Sequence, residues 1–168
     1  PDDKFAAPRA ALASKHADLR VRSLRELAKR GSKGEAGSSV VPGLITRKLV
    51  DSDAAVAATA LEALLAVSKE RTEALRTGLL RGNATVRLDA LLRAALMGHH
   101  RDPALSDLFA RAFDDDDLTT RERAFTLAAI LRKPLAFLKN DQSFGRRTVE
   151  IGRRVAQIES GEYTKKIE

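Results

Sequence analysis

The sequence DAAVAATALEALLAV, residues 53–67, decides the fold class of this chain. It opens with an Asp, a residue type that caps helices well. Val56, Ala60 and Leu64 then follow at the 3.6-residue period of an α-helix with one apolar face. Further leucines widen that face, as a helix contacted on two sides requires. The stretch therefore predicts a helix over 54–67 that packs between neighbouring helices.

The opening of this stretch recurs along the chain. The recurring elements are an Asp or Asn, a valine-like residue three positions later and a small residue four positions after that. The anchors at positions 18, 53, 83 and 117 are 35, 30 and 34 residues apart, a spacing typical of helix-pair repeats. A single helix pair cannot bury its apolar faces alone, so successive pairs stack on one another. The copies are Asp53–Val56–Ala60, Asn83–Val86–Ala90, Asp117–Thr120–Ala124 and a looser one at Asp18–Val21, with Arg25 in the small position.

The repeat predicts an all-α protein, an α-solenoid of about four helix pairs. The array is expected over residues 1–133, followed by a C-terminal capping helix and tail over 134–168. A cap at the open end would cover the apolar face that the last repeat leaves uncovered. The expected repeats are 1–33, 34–67, 68–98 and 99–133.

Capping and turn residues predict where several helices begin. We expect helices over 1–15 and 19–30, the second capped by Asp18, and Pro42 at the first position of the next helix. Ser68 is expected to cap the helix that follows it. Thr119 and Glu122 fit a capping box. The Gly- and Ser-rich segment 31–39 predicts a flexible loop, interpreted either as a tolerated insertion or as a loop that closes over a partner.

Composition narrows the classes of function. The chain lacks cysteine, which excludes disulfides and thiolate chemistry and fits a cytoplasmic protein. No apolar run approaches the roughly 18–20 residues that span a bilayer, so no membrane insertion is expected. A net charge of +7 favours acidic partners, whether protein or nucleic acid. The sequence begins with Pro1 rather than Met, so we expect a processed product or a piece of a longer protein.

At these residues the chain resembles the HEAT-repeat family, over about residues 5–131. The resemblance rests on the Asp/Asn–Val–Ala spacing and on an arginine directly after the valine-like position, although Ala57 stands there in the second repeat. It implies a scaffold or binding surface in which the second helix of each pair lines the concave side. It also implies that such arginines pair with the turn Asp of an adjacent repeat, for which Asp53 and Asp117 are available. The arginines in this position are Arg22, Arg87 and Arg121.

Two roles are open for these arginines. They could form a structural ladder between repeats, or a basic stripe that follows a phosphate backbone or an acidic partner. The scarcity of aromatic residues argues against single-strand recognition by base stacking and leaves duplex-backbone binding as the nucleic-acid alternative. The candidate binding residues are Arg22, Arg25, Arg47, Lys48, Arg87, Arg93 and Arg121.

Catalytic and metal-binding patterns are weak in this sequence. His99 and His100 are adjacent but lack further ligands at a useful spacing, and the acidic run 114–117 lacks the alternating ligands of a calcium loop. HEAT-like alkylpurine DNA glycosylases use tryptophans and an Asp, and this chain offers Asp89 but no Trp. We therefore expect no catalytic residue, metal or cofactor. The expected function is a non-catalytic protein-interaction scaffold, with duplex binding and glycosylase activity as alternatives.

Overall fold

The computed structural model describes residues 5–97, Leu105, Leu108 and 111–131, the last seven of these by their backbone only. Every regular element in this part of the chain is helical, which confirms the prediction of an all-helical protein. Single turns of 3-10 helix at Ser38–Val40 and Arg47–Val50 flank the third helix. The helices are α1 Ala6–Ala11, α2 Ala17–Ser32, α3 Val41–Thr46, α4 Ala54–Val67, α5 Arg71–Arg81, α6 Ala84–Leu96 and α7 Leu118–Leu131.

Helix α4 has the bounds that the sequence predicts, because local signals define both of its ends. The carboxylate of Asp53 accepts hydrogen bonds from the backbone amides of Ala55 and Val56, at 3.0 and 3.1 Å. At the other end, the Ser68 hydroxyl donates to the Leu64 carbonyl at 2.7 Å. The prediction that Ser68 caps α5 is therefore wrong. Its hydroxyl turns back to close α4, and α5 begins after Glu70 without a side-chain cap.

Helix α2 begins two residues earlier than predicted. His16 is its N-cap residue, and Asp18 lies in the first helical turn, so the predicted cap at Asp18 is wrong. With the cap at position 16, the small residue of the first repeat is Ser23 and not Arg25. Ser23 is buried, and its hydroxyl donates to the Pro8 carbonyl at 2.5 Å. This hydrogen bond allows a polar residue to occupy a position that holds alanine in the other repeats.

The corrected register aligns the buried leucines as well. The eighth residue after each cap is Leu24, Leu61 or Leu91, and all three are fully buried. Under the register predicted from the sequence, the first of these leucines would not have aligned with the other two. The first repeat therefore buries the same two positions after its cap as the second and third, whereas Leu19, in the place of Val56 and Val86, is 40% exposed.

Helix α7 begins two residues earlier than the predicted capping box implies. The Asp117 carboxylate accepts hydrogen bonds from the Thr120 amide and hydroxyl, at 2.7 and 2.9 Å. Asp117 is thus the capping residue, and Thr119 is an exposed residue of the first turn. The prediction that Thr119 and Glu122 form the capping box is wrong, because the amide of Thr120, the third helical residue, donates to the Asp117 carboxylate.

The segments around α1 and α3 differ from the prediction in length. Backbone hydrogen bonds from Ala13 to Ala10 and from Ser14 to Ala11 tighten the chain and end α1 before residue 15. The predicted loop 31–39 is partly helical, since α2 runs through Ser32. Gly34 and Gly37 then turn the chain with φ of 66° and 86°, a backbone conformation that side-chain-bearing residues rarely adopt. Pro42 lies in the first turn of α3 but is its second residue, because the helix begins at Val41, one position earlier than predicted.

The chain divides into two compact units, Pro1–Ala90 and Leu91–Glu168. In the first unit, α2 and α4 make the most extensive contact, and α4 also packs against α3, the Arg47–Val50 turn and α5. In the second unit Leu105, Leu108 and Phe113 are buried. In the first unit, therefore, α2 and α4 lie side by side, and they are the second helices of the first two pairs.

Several predictions fall outside the described residues. They concern the capping helix and tail over 134–168 and the adjacent residues His99 and His100. Among the residues that the structure does describe, no helix is both long and apolar enough to cross a bilayer.

Candidate functional site

A network of polar side chains joins the turns of the first helix pairs. Arg20, near the start of α2, donates one hydrogen bond to the Ser14 carbonyl at 2.8 Å in the turn before its own helix. It donates a second to the carboxylate of Asp51 at 2.9 Å, in the turn of the next pair. The side chains of Arg20 and Asp51 are only 11% and 7% exposed, so this ion pair is largely withdrawn from solvent.

Asp51 is the centre of this network. Its carboxylate also accepts the Asp53 amide at 3.1 Å and the Lys48 ammonium at 3.3 Å. Its backbone carbonyl accepts the Asn83 side-chain amide at 3.1 Å, and the Asn83 backbone amide donates to the Leu49 carbonyl at 3.0 Å. Three successive turns are therefore linked through what we call the turn ladder. Its members are Arg20, Asp51 and Asn83.

The environment of Asp51 lowers its pKa below the ordinary value of 3.8. Burial alone would raise the pKa, because a low-dielectric surrounding disfavours the charged form. The hydrogen bonds from the Asp53 amide and from the side chains of Arg20 and Lys48 outweigh this effect. The carboxylate is thus held ionised, as its role as a multiple acceptor requires.

Two of the in-phase arginines contact the turns that precede their own helices. Arg87 donates to the Gly82 carbonyl at 3.1 Å, and Arg121 donates to the carbonyls of Asp115 and Asp116. Each lies four residues after its helix-capping residue, and Arg20 has that position in α2. Arg20, and not Arg22, is therefore the counterpart of Arg87 and Arg121.

Arg22 belongs to a different surface. Together with neighbouring cations it lies on the exposed side of α2, where no hydrogen bond or ion pair involves it among the described residues. Beside this surface, Glu26 pairs with Arg30 at 2.6 Å, and that hydrogen bond lowers the pKa of Glu26. We call this surface the cationic face of α2. Its members are Arg22, Arg25, Lys29 and Lys33.

The positive charge does not continue onto the exposed side of α4. That side consists of alanines and Glu62, with no Lys or Arg. On α6, both Arg87 and Arg93 are half-buried and engaged in interactions. Within the first unit, the exposed cations of α2 therefore have no counterpart on the exposed side of α4.

The remaining candidates lie on the 3-10 turn after α3. Arg47 is exposed, whereas Lys48 is half-buried and bound to Asp51. The structure thus places the seven candidates in three settings. Arg22, Arg25 and Arg47 are exposed, Lys48 is in an ion pair, and Arg87, Arg93 and Arg121 are half-buried with partners.

The sequence interpretation missed Arg20 and Asp51, the central pair of the turn ladder. A signal for Arg20 was present, because aligning the first repeat on Leu24 instead of Asp18 places it in phase with Arg87. No comparable local signal marks Asp51, since it stands beside Asp53 and either residue could serve as the turn carboxylate.

The described residues hold no group of three His, Asp or Glu side chains close enough for a metal ion. Within the acidic run 114–117, two carboxylates organise the turn. Asp115 accepts the Asp117 amide at 2.9 Å, and Asp117 caps α7. These contacts account for the run by helix-start chemistry.

Comparisons with known proteins add no information to the geometry described above. No family model matches this chain, and searches of the curated proteins and of the solved structures found no match either.

Proposed function

We propose that this chain is a HEAT-like helical-repeat module that binds another protein and carries out no catalysis. The turn ladder is the observation that carries the proposal. Arg20, Asp51 and Asn83 join the turns of three successive helix pairs, in the manner of a stack of repeats. Such stacks present extended surfaces to which partners bind.

The distribution of charge favours a protein over a duplex. A duplex carries about one phosphate charge per 1.7 Å of axis, so a backbone-binding surface needs cations along its whole length. The cationic face of α2 extends over 12 residues, from Arg22 to Lys33, and the distance between these two positions is about 17 Å at the rise of an α-helix. Beyond it, α4 offers only alanines and Glu62. The half-buried arginines Arg87 and Arg121 donate to backbone carbonyls, which occupies groups that phosphates would need.

The first experiment measures the binding of a fluorescent 20-base-pair duplex in a salt series and compares two double variants. Arg22→Ala with Arg25→Ala removes two exposed cations, and Arg87→Ala with Arg121→Ala removes two turn contacts. We expect weak duplex binding by the wild type. We also expect a lower melting temperature only in the second variant, because only those arginines make hydrogen bonds within the fold.

The complementary experiment is affinity capture of proteins from native extract, followed by measurement of the captured partner's affinity with purified components. Tight duplex binding that falls steeply with salt and disappears in the Arg22→Ala, Arg25→Ala variant would overturn the proposal in favour of nucleic acid. A failure of every purified candidate partner to bind, at micromolar concentrations, would also count against it.

A further inference from the structure

Two large aliphatic side chains are exposed at equivalent positions of consecutive helix pairs. Val50 ends the 3-10 turn after α3 and is 60% exposed, and Leu80 lies near the end of α5 and is 48% exposed. Each lies three residues before a helix-capping residue. Asp53 caps α4, three residues after Val50, and Asn83 caps α6, three residues after Leu80. The repeat thus places them in register.

Direct contacts bring these two positions onto one edge of the first unit. The Arg47–Val50 turn packs against α5. Asn83, three residues after Leu80, donates hydrogen bonds to the carbonyls of Leu49 and Asp51, the residues on either side of Val50. Three residues of chain span at most about 11 Å, so Leu80 lies near the Asn83 contact with the turn, and both exposed side chains belong to this edge of the first unit.

The same edge is positively charged. Arg47 and Arg81 are exposed, and neither forms a hydrogen bond or ion pair with the residues that the structure describes. The only acidic residue of segments 46–51 and 76–83 is Asp51, whose carboxylate is committed to the turn ladder. We call the exposed group the edge surface. Its members are Arg47, Val50, Leu80 and Arg81.

We propose that the edge surface docks an amphipathic segment of a partner protein that carries two aliphatic side chains flanked by carboxylates. This inference rests on the proposed function and names the surface and the chemistry of the partner. The aliphatic pair would be covered by apolar groups, and the two arginines would meet carboxylates, for which their planar guanidinium groups are well suited.

Two other occupants fit the edge surface less well. A phosphate backbone offers nothing apolar to cover Val50 and Leu80. A second copy related by a twofold axis would place the same patch on both sides of the contact, so that Arg47 and Arg81 would face arginines. Like charges brought together in this way oppose association.

The test is selection of a random 12-residue peptide display library on the whole 168-residue protein, followed by affinity measurements with synthetic peptides. We expect selected peptides to share two aliphatic residues and at least two Asp or Glu residues. Their affinity should fall at least tenfold for Val50→Ser with Leu80→Ser, and again for Arg47→Glu with Arg81→Glu. All four side chains are exposed, so the melting temperatures of these variants should match the wild type.

A matched control replaces an exposed leucine and an exposed arginine elsewhere, Leu19→Ser with Arg71→Glu, and should change the affinity less than twofold. Peptides that bind both edge variants as tightly as the wild type would overturn the inference but leave the proposed function intact. So would peptides lost only in the control variant. Selection of no peptide, with no protein partner in the capture experiment, would overturn both.

Sedimentation and duplex-binding measurements test the two other occupants, a second copy of the chain and nucleic acid. A wild-type dimer that dissociates in the Val50→Ser, Leu80→Ser variant would replace the partner with a second copy. Duplex binding that disappears in the Arg47→Glu, Arg81→Glu variant but survives loss of the two aliphatic side chains would assign the surface to nucleic acid. Either result overturns the inference.

Discussion

Replacement of Asp51 by alanine tests whether the turn ladder holds successive helix pairs together. The substitution removes the carboxylate that accepts hydrogen bonds from Arg20, Lys48 and the Asp53 amide. It leaves the Arg20 guanidinium, only 11% exposed, without its counter-charge. Loss of one partner from a buried ion pair costs about 3–5 kcal/mol. Because Arg20 keeps its bond to the Ser14 carbonyl, we expect the lower end, about 3 kcal/mol.

The assay is urea unfolding followed by circular dichroism at 222 nm. Asp51→Asn keeps an acceptor oxygen but loses the charge, so it should cost about 1.5 kcal/mol. Asp53→Ala is the matched control, since it removes a neighbouring carboxylate that only caps α4, at a cost of about 1 kcal/mol. For a chain of this size, 3 kcal/mol corresponds to a drop of about 6–12 °C in melting temperature.

A double-mutant cycle separates the Arg20–Asp51 interaction from the other contacts of the two residues. With Arg20→Met and Asp51→Ala, the coupling free energy should be about 1–3 kcal/mol. The explanation would fail if Asp51→Ala costs no more than Asp53→Ala. It would also fail if the coupling lies below about 0.5 kcal/mol, the limit within which independent sites add.

Two further predictions concern the ionisation of Asp51 and the packing around Gly78. Because the pKa of Asp51 is lowered in the folded protein, the ionised carboxylate contributes its full stabilisation above the ordinary value of 3.8. That contribution is lost as the pH falls through the lower pKa of the folded state. In an acid titration, the difference in unfolding free energy between wild type and Asp51→Asn should therefore shrink only below pH 3.8. Gly78→Ala would place a Cβ 2.8 Å from Leu61 Cδ1 and 3.1 Å from the Ala90 Cβ, and we expect it to destabilise the protein by about 1–2 kcal/mol. Gly43 is the control, because it is also helical but has open space around it. Gly43→Ala should stabilise the protein by about 0.5–1 kcal/mol. Equal effects of the two substitutions on the unfolding free energy in urea would contradict the packing argument.

Much of the helical organisation could be predicted from the sequence because it depends on residues at most four positions apart. The carboxylate of Asp53 and the apolar period after it define the start and face of α4. Pro42 lies in the first turn of α3 for a similar reason, since its fixed φ suits a helix start. The Gly82–Asn83 turn between α5 and α6 likewise follows from local chemistry.

The candidate site was less accessible to sequence reasoning. Because Arg22 follows Val21 as Arg87 follows Val86, the sequence predicts Arg22 as the in-phase residue, yet the in-phase residue is Arg20. The difference comes from the start of α2, which places Ser23 at the buried small position. Burial of Ser23 requires the Pro8 carbonyl as its acceptor, fifteen residues away.

What the sequence determined by itself is an all-helical chain of recurring helix pairs, since helix periodicity and caps are local properties. What the tertiary structure decided is which charged side chains form ion pairs and hydrogen bonds within the fold and which remain exposed. Arg20 meets Asp51 across 31 residues, and Asp51 meets Asn83 across 32, only because the turns come together when the helices pack. Exposure of Val50 and Leu80 is decided in the same way, since an aliphatic residue is buried only where a neighbouring element covers it.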